Sequence, residues 1–216
     1  MIKAILFDFD DTLVKSIEVG IKVIKDFAKK TYNLNLETKI IKKFWHLPFN
    51  NFIEKIFKNI EPTEKIIEKY TPLWEKVPIQ AFDGVLPTLE KLSKKYLLGI
   101  VTSHTRRYLY KDMKMAGIPK EIFFIIQTEE DTRFHKPNPK VFDDILLKLK
   151  KIKIDKKEIL YVGDNLSDYY AAQKAGINFY ALADITTPKN KFIKKGVKTI
   201  NNFQELLQIL KCNEQE

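Results

Sequence analysis

ILFDFDDTL, residues 5–13, sets an apolar run that reads as a buried strand directly before three aspartates in four positions: Asp8, Asp10 and Asp11. Like charges crowded at the end of a core strand repel one another and lose solvation. The stretch therefore calls for an opposing charge close by. Similar runs recur at 96–103 (YLLGIVTS), 122–128 (IFFIIQT), 158–164 (EILYVGD) and 178–183 (NFYALA), with a short sixth at 198–200. Runs that are continuously apolar, rather than alternating, suit a parallel sheet covered on both faces.

Between these runs lie helical patterns at 84–95, 105–116, 139–151, 167–175 and 202–211, two of them closed by Gly117 and Gly176. A glycine just past a periodic segment is a helix stop. The alternation predicts a doubly wound, Rossmann-like α/β fold. Residues 15–81 break the rhythm with helical stretches at 16–30, 37–44, 50–58 and 62–77, punctuated by Pro48, Pro62, Pro72 and Pro78. The expected organisation is an α/β core of residues 1–14 and 82–216 with a helical domain, 15–81, inserted after the first strand. The end of the chain, CNEQE, reads as a frayed tail.

The 216 residues are 44% hydrophobic and 31% charged, ordinary soluble composition. No apolar run reaches the roughly 18 residues of a membrane span, and no signal-like segment opens the chain. Cys212 is the single cysteine, so neither a disulfide framework nor a thiolate metal cluster is expected, and a reducing cytoplasm is the expected compartment. The net charge of +10 invites a nucleic-acid reading. Only Arg106, Arg107 and Arg133 among the 38 basic residues are arginine, however, and the lysines are spread along almost every helix. Base and phosphate readout favours the arginine fork, so solvated lysine faces are expected, with no nucleic-acid or membrane partner.

In parallel α/β folds, functional groups gather at the carboxyl ends of strands. Here those ends carry Asp8, Asp10, Asp11 and Thr12, then Thr102 and Ser103, then Lys136, then Asp164 and Asp168. Singly, each has an ordinary explanation as a turn residue, helix cap or solvated lysine. Together they place several carboxylates, a hydroxyl and a cation on one rim. That set suits a hard divalent cation such as Mg2+ and phosphoryl transfer. His46, His104 and His135 lack ligand spacing and read as surface or packing residues. The seven glycines form no phosphate-cradling G-x-G or G-K pattern.

Four segments in order, DFDDTL (8–13), VTS (101–103), HKPNPKVF (135–142) and VGDNLSD (162–168), resemble the motifs of the haloacid dehalogenase superfamily. KTINNFQELLQIL (198–210) is similar to the last strand and helix of its phosphoglycolate phosphatase-like members. The resemblance covers the whole core and makes the insertion a small α-helical cap. It implies that Asp8 is the nucleophile and that Asp10 is the general acid and base, with its carbonyl on the metal. Thr102 and Ser103 would hold phosphoryl oxygens beside Thr12, Lys136 would offset charge, and Asp164 and Asp168 would serve Mg2+ together with Asp8 and Asp10. Asn138 and Pro139 read as the cap and first turn of the next helix.

Within the superfamily that the chain resembles, dehalogenases and phosphonate hydrolases generally lack an acid at the position of Asp10, so the resemblance implies neither chemistry here. It fits Mg2+-dependent hydrolysis of a small phosphomonoester, or transfer within a sugar phosphate as in β-phosphoglucomutase-like members. Asp11 departs from the glycine common in phosphoglycolate-type members, and aspartate tolerates such a turn. Within the cap, FWHLPFNNF (44–52) is similar to the family's specificity loop, which makes His46 the candidate substrate contact. All three arginines flank the expected active-site loops, and Arg106 is the candidate for a clamp on substrate or for ordering a loop. The expected partner is a small anionic phosphorylated substrate, and the expected state is a monomer or homodimer. A non-catalytic phospho-acceptor domain fits poorly, because it predicts an acidic strand end before the threonine and no helical insertion.

Overall fold

A computed structural model describes residues 1–58 and 60–212. Among them, six strands form one parallel sheet in the order β3-β2-β1-β4-β5-β6. They are β1 (Ala4–Phe7), β2 (Leu97–Val101), β3 (Phe123–Gln127), β4 (Ile159–Gly163), β5 (Asn178–Leu182) and β6 (Lys198–Ile200). The connecting helices are α5 (Val85–Ser93), α6 (Arg106–Met115), α7 (Asp143–Lys151), α8 (Leu166–Ala175), α9 (Lys189–Ile193) and α10 (Phe203–Cys212). The order reverses at β1, whose Phe7 lies level with Ile100 on β2 and Val162 on β4. That reversal is the switch point at which ligands bind in such sheets.

Every residue of β1 is buried, because the pleat sends alternate side chains into two separate cores. Ile5 and Phe7 pack with residues of α5, α6 and α10, such as Leu89, Leu109 and Leu206. Ala4 and Leu6 face Phe142, Ile145 and Ala171, on the side of α7 and α8. Burying a side chain like Phe7 contributes roughly 1.5–3 kcal/mol. Two-sided burial explains why the strands read as unbroken apolar runs.

Between β1 and α5 come α1 (Ile17–Tyr32), α2 (Thr38–Phe44), α3 (Phe49–Phe57) and α4 (Thr63–Trp74). Their apolar faces close on one another through Ile24, Phe27, Ile41, Phe57 and Tyr70, all buried. Phe27 meets Phe57 and Tyr70 edge-on at 5.7 and 5.4 Å, the arrangement aromatic rings prefer. Gly20 is needed for space: a Cβ there would lie 1.9 Å from the Trp45 ring. The chain enters and leaves this bundle along two paired linkers, with Lys15 N–H donating to Gln80 O at 2.9 Å and Phe82 N–H to Leu13 O at 3.0 Å.

Strand positions match the apolar runs to within two residues at each end, and the doubly wound parallel sheet is as expected. Three details differ. The 139–151 pattern divides into a 3-10 turn, Pro139–Phe142, and α7. α4 runs through Pro72 and ends at Trp74, short of 77. The five-residue α9 carries too little periodicity to be read from sequence. Of the expected tail, Cys212 closes α10, and 213–216 lie outside the described residues. No described helix is long and apolar enough to cross a membrane.

Candidate active site at the switch point of the sheet

Asp8 follows β1 directly, and its N–H continues the strand ladder to Val162 O at 2.9 Å. Its Oδ1 accepts from Phe9 N–H at 2.8 Å and from Lys136 Nζ at 2.9 Å. Among the described residues its Oδ2 accepts no such bond, and the residue lines a cavity of about 100 Å³ between the sheet and the helical insert. Burial pushes the Asp8 carboxyl up to about 7, in spite of Lys136 pulling the other way.

Lys136 arrives from the loop after β3. Asn138, two residues on, caps the following turn by accepting Lys140 N–H at 3.0 Å. The Lys136 ammonium also donates to Asp168 at 2.6 Å and to Tyr161 Oη at 3.0 Å. Burial alone would lower the Lys136 pKa, but Asp168 and Asp8 raise it above the ordinary value. The ammonium is therefore a fixed positive charge.

Asp164 and Asp168 come from the β4–α8 turn. Asp164 Oδ1 accepts from Thr12 Oγ1 at 3.0 Å, and Thr186 Oγ1 donates to its Oδ2. Asp168 forms a reciprocal cap with Asn165, whose N–H it accepts at 3.0 Å. Gly163 is required here, since a Cβ would fall 2.6 Å from Asp168 Oδ2. Burial, then the neighbouring Asp168, raises the Asp164 pKa well above the carboxylate range.

Asp8, Asp164 and Asp168 each present an oxygen within 4.8 Å of the other two. Three buried carboxylates facing one lysine leave negative charge uncompensated, and an all-oxygen set of this kind fits Mg2+. Both Asp168 oxygens also accept protein donors, which tie it to Lys136 and to the turn.

Asp10 stands apart from these three. Its Oδ2 faces His104 Nδ1 at 3.3 Å, and His104 Nε2 lies 3.2 Å from Asp112 on α6. Burial works against the imidazolium, but Asp10 and Asp112 outweigh it and hold the His104 pKa above its usual value. His104 is thus a bridge between two carboxylates, not the surface or packing residue expected from sequence, although its ring also stacks on Phe9. Asp112 had no sequence signal. Thr102 and Ser103 line the cavity beside His104, and Thr102 Oγ1 accepts His104 N–H at 3.1 Å.

The remaining expected residues divide. His46 lines the cavity from the insert. Thr12 does not, because its hydroxyl is directed to Asp164. Arg106 also lies outside the lining. It grips both oxygens of Asp131 and donates to Tyr110 Oη at 3.2 Å, ordering the loop after β3. Arg107 pairs with Glu75 at the end of α4, and Arg133 stacks over Phe134 at 5.0 Å. Asp11 takes the left-handed turn expected of it, with φ 57°, and does more. Its buried carboxylate accepts Ser16 and Ile17 N–H at 3.1 and 2.8 Å and the Trp45 indole at 2.8 Å.

Residues 5–182 match the family described as haloacid dehalogenase-like hydrolase. Pyrophosphatase PpaX of Oceanobacillus iheyensis is 30% identical over 186 residues, which span 84% of this chain and 84% of that protein. Glyceraldehyde 3-phosphate phosphatase of Methanopyrus kandleri is 25% identical over 195 residues, 82% of each chain. CbbY from Rhodobacter sphaeroides, in its crystal structure with phosphate, shares the fold at a TM-score of 0.79 and 19% identity, over 95% of this chain and 96% of that one.

Proposed function

The chain belongs to the haloacid dehalogenase-like hydrolases, and from that premise we propose that it is a Mg2+-dependent phosphatase of small phosphomonoesters. The observation that carries this reading is the setting of Asp8. One oxygen is pinned by Phe9 N–H and Lys136, and the residue lines a cavity that also holds Asp10, Thr102 and Ser103. A carboxylate held in this way is oriented for in-line attack on phosphorus.

Asp8 forms a bond to phosphorus as the ester P–O bond breaks, and Asp10 gives its proton to the departing alkoxide. Asp10 then takes a proton from water, whose oxygen attacks the aspartyl-phosphate and releases inorganic phosphate and free Asp8. Lys136, with Thr102 and Ser103, balances and orients the phosphoryl oxygens. Asp8, Asp164 and the Asp10 carbonyl would hold Mg2+, which supplies positive charge against those oxygens. The helical insert 15–81 serves as a cap that shields this chemistry from water.

Phosphate release across a panel of phosphomonoesters, with and without Mg2+, tests the proposal, with Asp8→Asn as control. Turnover that needs both Mg2+ and Asp8 is expected. A folded protein that releases phosphate from none of them is not a phosphatase, and recovery of glucose 6-phosphate from the 1-phosphate would assign it to the mutases.

A further inference from the structure

The cavity has two chemically different walls. The wall formed at the strand ends is ionic. The opposite wall is built from Trp45, Phe49, Phe52, Tyr70 and Trp74 of the insert and Tyr108 of α6. Resting on the phosphatase reading above, we propose that the group esterified to phosphate is short and uncharged, so that the site selects against substrates with a second anionic group.

A second carboxylate or phosphate entering this space would have to exchange water for a cation or several N–H donors. Among the described residues, the lining contains one lysine, Lys136, and no arginine. Lys136 is held on the ionic wall by Asp8 and Asp168. Three of the four basic side chains of α6 are engaged elsewhere: Arg106 by Asp131, Arg107 by Glu75, and Lys111 by the Trp74 carbonyl at 2.8 Å and Asp112 at 3.0 Å.

The two histidines do not fill the gap. His104 is clamped between Asp10 and Asp112. His46 sits at the solvent-exposed edge of the lining, and desolvation lowers its pKa, which disfavours the cationic imidazolium. Asp10 and Asp11 also line the cavity, so a second anion would meet like charge. The overall charge of +10 draws anions towards the protein but puts no free cation on this wall.

A neutral group meets no such penalty. Thr105 lines the same cavity, and its Oγ1 is buried with no hydrogen-bond partner. A hydroxyl or carbonyl on the leaving group would satisfy it. A cavity of about 100 Å³ suits a compact leaving group. The substrate class that fits is the phosphate ester of a short polyol, hydroxyaldehyde or hydroxyketone.

Matched pairs test this, because they differ only in the second charge: glycerol 3-phosphate against 3-phosphoglycerate, and 2-hydroxyethyl phosphate against 2-phosphoglycolate. The uncharged member of each pair is expected to have at least about tenfold higher kcat/KM, carried mainly in KM. Calorimetric Kd values of the same four compounds with Mg2+-loaded Asp8→Asn should show the same order without chemistry. Equal or tighter binding of the charged members, or inorganic pyrophosphate as the best substrate, overturns the inference while leaving the phosphatase reading in place. The predicted order of Kd with no turnover by the native protein sinks the phosphatase reading and leaves the neutral pocket standing.

Discussion

The Trp45 indole N–H donates to the carboxylate of Asp11 across 2.8 Å, tying the loop between α2 and α3 to the turn that follows Asp8. The same carboxylate caps α1 through Ser16 and Ile17 N–H. Asp11 thus joins the turn after β1 to two points of the insert.

Removing this link should weaken the fold. Trp45→Phe is expected to cost about 1 kcal/mol, the usual worth of one hydrogen bond. Asp11→Gly is expected to cost about 1–2 kcal/mol, the loss of a helix cap being partly offset by relief of the left-handed turn. Urea unfolding of the double variant should show a loss smaller than the sum of the two. Strict additivity would mean that the two residues do not act on each other.

Lys136→Met leaves Asp8 and Asp168 buried without their shared cation. Breaking one side of a buried ionic group costs about 3–5 kcal/mol, so a large fall in stability is expected along with loss of phosphatase activity. Mg2+ should restore part of the stability and none of the activity, as read by thermal unfolding beside phosphate release. Wild-type stability without metal would show that the ammonium does not offset these carboxylates.

His104→Gln keeps a donor near Asp10 but cannot bridge to Asp112 as the ring does. If the bridge holds Asp10 ready to protonate the leaving oxygen, kcat for an alkyl phosphate should fall by about 10²-fold. For 4-nitrophenyl phosphate, whose leaving group needs no proton, the fall should be far smaller. An equal loss for both would reduce His104 to a packing role.

Both Asp8 and Asp11 have pKa values pushed up to about 7 from an ordinary 3.8, in each case mainly by burial. Below about pH 4 these groups are protonated in the folded and the unfolded chain alike. As pH rises towards 7, ionisation favours the unfolded chain, so the stability they contribute at low pH is lost across that window. A cation that binds ionised carboxylates reverses the trend. The Tm gain from Mg2+ should therefore be larger at pH 8 than at pH 5.5, and smaller in Asp8→Asn. A gain independent of pH would place the cation elsewhere.

Sequence and structure agree most closely where one residue's neighbours are dictated by the strand that carries it. Asp8 and Asp164 were legible because each ends an apolar strand in a parallel sheet, whose carboxyl ends must converge. Lys136 was legible from its loop, though not its grip on Asp168. The Asp10–His104–Asp112 bridge was hidden, because Asp112 lies eight residues past His104 on a helix whose inward face no local pattern reveals. Of the two roles open to Arg106, substrate clamp or loop ordering, its grip on Asp131 in the loop after β3 matches the second, and sequence alone could not choose between them. Thr12 sat in the right motif, but its hydroxyl orientation depends on Asp164, which is 152 residues away. Such pairings are tertiary facts that periodicity does not encode.

The two linkers of the helical insert are hydrogen-bonded to each other, Leu13 to Phe82 and Lys15 to Gln80. Because its ends leave the core side by side, the insert closes a loop whose entropic cost barely depends on its length. The core is thereby free to exchange this segment for a longer, shorter or chemically different one without disturbing the sheet. Because this segment supplies Trp45, His46 and Phe49 to the cavity lining, a grafted replacement for residues 15–81 is expected to change which molecules the cavity admits.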